Sequence, residues 1–207
     1  MTVLDLPRFK PWTLDGLSPR EMQRIMAGVR GGMLGYNALL NDPPPGAMTF
    51  NTFTGPLDVT SNTVNAPFVM PANTLDRPGQ MIHTYAAGTF STTGTPTLVM
   101  GTYLGTTVLA VNVALTTASG AVTLPWCLET WTKVAGTGTA GLLNTRGNLV
   151  YGTTLTAITN IPVPGIALAN VTADTTAAAA WTVKATWSTS SASNIVVTHQ
   201  YFVESYN

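Results

Sequence analysis

Between Arg77 and Glu129 the chain carries no Lys, Arg, Asp or Glu. Soluble domains carry about 25% charged residues, and charge is the ordinary means of keeping a surface solvated. A run this long without charge must place its polar groups by another rule. In AAGTFSTTGTPTLVMGTYLGTTVLA (86–110), Thr is interspersed with apolar residues and the pattern breaks at Gly and Pro. Thr favours strands, and on a solvent face its hydroxyl is hydrated without a charge. That explains only part of the run. Leu98, Val99, Met100, Tyr103 and Leu104 come nearly in succession, which is how a strand buried on both faces reads. In a single sandwich of about 150 residues most strands keep one wet face. Neighbouring subunits are therefore expected to cover this run, the alternative being a well-covered inner strand of a monomer.

The text from Met48 onward is strand text throughout. Thr, Val, Tyr, Phe and Trp dominate, broken by Gly, Pro, Asn and Ser at short intervals. In Trp181–Trp187, Trp181, Val183, Ala185 and Trp187 share one face, and Thr182, Lys184 and Thr186 share the other. Ile195–Tyr206 is a second long strand, and further strands are expected near 48–54, 66–70, 80–87, 95–104, 106–113, 126–135, 140–151 and 153–158. Many short strands with frequent turn signals imply an all-β sandwich or barrel. No helical pattern separates them, which excludes a βαβ arrangement.

Nine of the eighteen charges lie before Pro43-Pro44-Pro45. That proline run is stiff and extended, and it divides an N-terminal arm (1–47) from a β body (48–207). In the arm, SPREMQRIMAGVRGGM gives a helix over 18–30. Ser18 suits the N-cap, Pro19 the first turn and Glu21 the capping box. Met22, Ile25, Met26 and Val29 form an apolar stripe, Arg30 favours the C-terminus, and Gly31-Gly32 stops the helix. Met33, Tyr36 and Leu40 extend the same spacing. The stripe packs either on the body or on a partner.

Several functions are disfavoured. The formal net charge is zero, so nothing marks a nucleic-acid partner. Cys127 is the one cysteine, which rules out an intrachain disulfide. The opening MTVLDLPRFKPW lacks the apolar core of a signal peptide, and no stretch approaches the ~20 apolar residues of a membrane helix. A soluble protein made in the cytosol is expected. His83 and His199 each stand alone in strand text, without partners at metal-ligand spacing. Cys127 between Trp126 and Leu128 reads as a small buried hydrophobe, with a Cys–His pair the minor alternative. The body's acids, Asp58, Asp76, Glu129, Asp174 and Glu204, are mutually isolated, which disfavours a glycosidase pair. Neither a phosphate-cradling loop nor a G-x-S-x-G elbow is present. The glycines of GTGTAG (Gly136, Gly138, Gly141) read as a turn. Trp126, Trp131, Trp181 and Trp187 read as core rather than as a sugar platform. No catalytic residue, cofactor or metal is expected.

Three segments carry a resemblance: PANTLDRPGQMIHTYAAGTFSTTGTPTLVMGTYLG (71–105), VTLPWCLETWTKVAGTGTAGLLNTRGNLVYG (122–152) and AAAAWTVKATWSTSSASNIVVTHQYFVE (177–204). Their order resembles a β module common in tailed-bacteriophage virion proteins, over roughly residues 66–205. The resemblance implies an antiparallel jelly-roll-like sandwich, usually trimeric, of the kind used in capsid decoration proteins, head fibres and tail-fibre tips. It brings no catalytic residues. It leads to the expectation of a non-enzymatic homotrimer on the capsid exterior, assembled in the host cytoplasm. The arm would dock on the major capsid protein or another virion protein through Trp12, Leu14, Leu17, Met22, Ile25, Met26 and Val29. The arm lacks a sustained heptad, which favours decoration over a tail fibre. The alternative is a head or tail fibre protein that binds host glycans.

Overall fold

The structure is a computed structural model and describes residues 36–38, 48–165 and 169–206. The helix expected over 18–30 and the docking residues Trp12, Leu14, Leu17, Met22, Ile25, Met26 and Val29 lie outside these residues. Gly, Pro and Asn turns cut the described chain into strands: β1 (Tyr36–Ala38), β2 (Met48–Phe50), β3 (Leu57–Asp58), β4 (Val69–Met70), β5 (Met81–Ser91), β6 (Thr97–Leu104) and β7 (Thr107–Val111). There follow β8 (Leu115–Thr116), β9 (Leu124–Gly136), β10 (Gly141–Thr154), β11 (Ala157–Val163), β12 (Val171–Ala173), β13 (Ala179–Trp187) and β14 (Ile195–Tyr206).

Every pairing is antiparallel, in two sheets. One has the order β1-β14-β5-β9-β10-β11, with β2 also on β14 and β12 also on β10. The other has the order β3-β13-β6-β7, with β4 also on β13 and β8 also on β6. β5 pairs with β14 in the first sheet and β6 with β13 in the second. The chain thus runs out along β5–β6 and returns along β13–β14 as a ribbon folded across both layers, which makes the sandwich jelly-roll-like. The β9–β10 hairpin adds to the other edge of β5. Tyr36–Ala38 forms a strand on β14, so the helical spacing does not continue through Tyr36. Segment 153–158, expected as a strand, holds the turn between β10 and β11.

The alternation in β13 decides its packing. Trp181, Val183, Ala185 and Trp187 are all buried between the sheets. Opposite them in register stand Leu104, Thr102, Met100 and Leu98 of β6. The other face of β6 is also covered, within this one chain. Lys184 lies over the Tyr103 ring, Nζ 4.8 Å from its centroid, and donates to the Gly105 carbonyl at 2.9 Å. At Gly101 a Cβ would come within 2.1 Å of the Ala110 carbonyl oxygen, so neighbouring backbone fills the place of a side chain. The apolar run 98–104 therefore does not call for other subunits, contrary to the expectation from sequence.

Threonine departs from expectation too. Eleven threonines are buried, so Thr is a core residue here as well as a surface one. A buried hydroxyl is costly unless it is hydrogen-bonded. Thr102 of β6 meets Thr130 of β9 across the sandwich at 2.8 Å. The Trp181 indole donates to Thr84 of β5 at 2.8 Å, and the Tyr201 hydroxyl of β14 donates to the Trp181 carbonyl.

The Thr102–Thr130 pair gives a test. Either Thr102→Val or Thr130→Val strands one buried hydroxyl and should cost about 1–3 kcal/mol of unfolding free energy. The double substitution removes both hydroxyls at nearly constant shape and should recover most of that loss. A double-mutant cycle by denaturant unfolding measures it; additive losses would show that the pair is not a coupled unit.

Candidate functional site

The strand period that sends Ile82, Thr84, Ala86 and Phe90 of β5 inward sends His83, Tyr85 and Ala87 to the outer face of the eight-stranded sheet. On β9 the same parity buries Leu124, Trp126, Leu128, Thr130, Thr132 and Val134, and turns Cys127, Glu129, Trp131 and Lys133 outward. Register then aligns these residues in rows across β14, β5, β9 and β10. One row is Glu204–His83–Trp131–Arg146, and the next is Phe202–Tyr85–Glu129–Asn148. Beyond lies Gln200–Ala87–Cys127–Val150, which carries no charge.

His83 is the centre of this face. Its Nε2 lies 2.9 Å from Glu129 Oε1 and its Nδ1 3.4 Å from Glu204 Oε2. The ring stacks on Trp131 with centroids 4.1 Å apart and planes at 14°, and it meets Phe202 edge-on at 5.4 Å. Phe202 stacks in turn on Tyr85 at 4.9 Å. Glu204 also accepts the Tyr206 hydroxyl at 2.6 Å. That hydrogen bond, helped by His83 and opposed by burial, holds the Glu204 carboxyl below its ordinary range, and it raises Tyr206.

Beside this cluster runs a shallow apolar groove of about 380 Å³, walled by Tyr85, Ala87, Pro125, Cys127, Val150 and Ile158. Burial first, then the Cys127 thiol and the Glu129 charge, pushes Tyr85 up to about 12. Burial also pushes the Cys127 thiol up; Glu129 adds to this, and the Tyr85 hydrogen bond partly offsets it. A thiol raised in this way is poorly nucleophilic. His199 lines the same groove.

The structure revises several sequence readings. His83, Glu129 and Glu204, read as solitary, form one cluster, because two strand pairings bring together residues far apart in sequence. Trp126, Trp181 and Trp187 are core residues as expected, but Trp131 stands on the outer face. Cys127 is half-buried on that face rather than in the core. The remaining body acids act locally: Asp58 accepts from Thr60 and Ser61, Asp174 from Thr176, and Asp76 pairs with Arg77. Among the described residues no group of three or more His, Cys, Asp or Glu is placed to hold a metal ion. No family model, curated protein or solved structure matches the chain.

Glu204 supplies the test of this geometry. Its folded-state value lies below its unfolded one, so the stability it adds is present above the ordinary carboxylate value of about 4.3. That stability is lost as pH falls through the folded value. Tyr206→Phe removes the largest cause, so the Glu204 carboxyl should titrate higher, toward that ordinary value. Carbon-detected NMR titration of wild type and Y206F reads the shift; an unchanged titration would show that the Tyr206 hydroxyl does not hold the charge.

Proposed function

We propose that this chain is a non-enzymatic structural component of a tailed-phage virion, a trimeric capsid decoration or minor capsid protein. In this reading the arm docks on the shell and the β body stands on the capsid exterior. One observation carries it. The three segments that resemble phage virion proteins contain β5–β6, β9 with most of β10, and β13 with most of β14. These are the central strands of both sheets, so the resemblance falls on framework residues rather than on loops. The non-enzymatic part is supported by the outer face, where both His83 nitrogens are engaged by carboxylates and the Cys127 thiol is raised. The trimer rests on the resemblance alone, because β6 finds its cover within the chain. A second reading, a fibre protein that binds host glycans, is favoured by Trp131 standing outward beside Glu129.

Two measurements test the virion reading. Light scattering on the full chain should give three times the chain mass of 21.7 kDa; a monomer would remove the trimer. The docking stripe is tested by Ile25→Asp with Met26→Asp. Burying each large apolar side chain contributes about 1.5–3 kcal/mol before entropy costs, and three arms on one trimer add avidity. The double variant should stay folded, with an unchanged melt, and fail to cosediment with shells. Normal binding would take the stripe off the docking surface, and a lowered melting temperature would place it on the body.

A further inference from the structure

Trp131 stands on the outer face among groups of both signs. On β5 its partner in register is His83, held by the carboxylates of Glu204 on β14 and of Glu129 two residues back along β9. On β10 its partner in register is Arg146, and Lys133 lies two residues further along β9 itself. Both cations are exposed, and among the described residues neither takes part in an ion pair. The indole is half-buried and held in place. His83 stacks on one of its faces, and Tyr206 meets it at a tilt of 46° with centroids 5.4 Å apart. Among the described residues no ring is stacked on its second face.

We propose that Trp131, Lys133 and Arg146 form a subsite for an acidic sugar residue, a pyranose bearing a carboxylate. This rests on the glycan-binding reading of the outer face and is independent of where a virion would carry the protein. The chemistry matches part by part. A pyranose presents a face of C–H groups, which an aromatic ring accepts by stacking, as a small rigid anchor with little entropy to lose. A carboxylate is matched by the planar fork of an arginine, with lysine as a second point charge. Ring hydroxyls need acceptors and donors beside the stack. Glu129 presents a carboxylate 47% exposed, of which Oε1 takes His83, and the exposed Asn148 is its cross-strand partner. Directly paired positions lie about 5 Å apart and i, i+2 positions about 7 Å. The patch is therefore scaled to one sugar residue with one charged substituent.

His83 acts in this subsite as a positioning residue. Gripped by two carboxylates on neighbouring strands, it fixes the plane of the indole from behind and does not touch the sugar. Neither cation is needed by the fold, since both are solvent-exposed and no partner among the described residues neutralises them.

The test uses the full chain and three probes: 3′-sialyllactose, trigalacturonic acid and, as neutral control, lactose. The Trp131 indole N–H resonance should shift on titration with an acidic sugar and not with lactose, and the affinity should fall with added salt. Arg146→Gln should weaken acidic-sugar binding by about tenfold with an unchanged thermal melt, and Trp131→Ala should abolish it. Trp131→Phe, which keeps an aromatic face, should retain part. The proposal fails if neither acidic sugar moves the indole resonance, if lactose binds equally well, or if R146Q binds like wild type. It also fails if W131A keeps its affinity, since the site would then be a bare cation pair open to any acidic peptide. Absence of the protein from particles would overturn the virion reading and leave this result standing.

Discussion

The two layers of this sandwich are tied by hydrogen bonds from buried side chains, and much else follows from that. Hydrophobic burial is non-directional and lets one sheet slide over another. The contacts Thr102–Thr130, Trp181–Thr84 and Tyr201–Trp181 are directional, and each joins a strand of one sheet to a strand of the other. They form only at one offset of the layers. They also show how a core can hold so much threonine. A hydroxyl close to valine in shape is acceptable inside provided it finds a partner, and Thr132–Thr145, Thr92–Ala118 and Thr117–Pro96 repeat the solution elsewhere, whereas the hydroxyls of Thr182 and Thr198 are buried without a partner among the described residues. The charge-free run from 78 to 128 is then no anomaly, because its polar groups are partly spent inside.

Such a core leaves few ionisable groups, and their placement carries information. The β body has nine charged residues. Asp58 and Lys184 are paired in register on the six-stranded sheet. The other seven lie in the half of the sandwich that contains the β9–β10 turn: Asp76 and Arg77 just before β5, Asp174 beside that turn, and Glu129, Lys133, Arg146 and Glu204 on the outer face. The far half of that face, around Cys127 and Val150, is uncharged and grooved. One molecule therefore has a polar end and an apolar end on the same sheet.

The fold was legible in the sequence because the signals for it are local. Period-two alternation in Trp181–Trp187 needs only neighbouring residues, and so do the turn glycines that end β9 and begin β10. β3, β8 and β12, of two or three residues each, carry too little period to be seen. β11 lies mostly beyond the strand expected near 153–158, and its Pro162 is accommodated because an edge strand tolerates proline. The site was illegible for the converse reason. His83 meets Glu129 and Glu204 across 46 and 121 residues of sequence, and register between distant strands is not written in either strand alone. Part of it was nevertheless available. In LPWCLETWTKVAG, Glu129 and Lys133 share the parity of Trp131, and two charges on one strand face mark that face as wet. Weighing Trp131 by residue type rather than by parity put it in the core.

The described strand of the arm lies near the polar end, whereas the body begins at Met48 beside Thr198, toward the groove. β1 runs antiparallel to β14 with Tyr36 opposite Val203, three residues from Tyr206 and one from Glu204. Tyr36 thus stands nearer than Ala38 to the row that holds His83 and Trp131. Under the virion reading, the body's scarce charges would serve to fix orientation against a charged partner, which is what charge does better than apolar area. Under the glycan reading, the same end must stay open to a saccharide. One row of side chains is thus asked either to face a shell or to face a sugar.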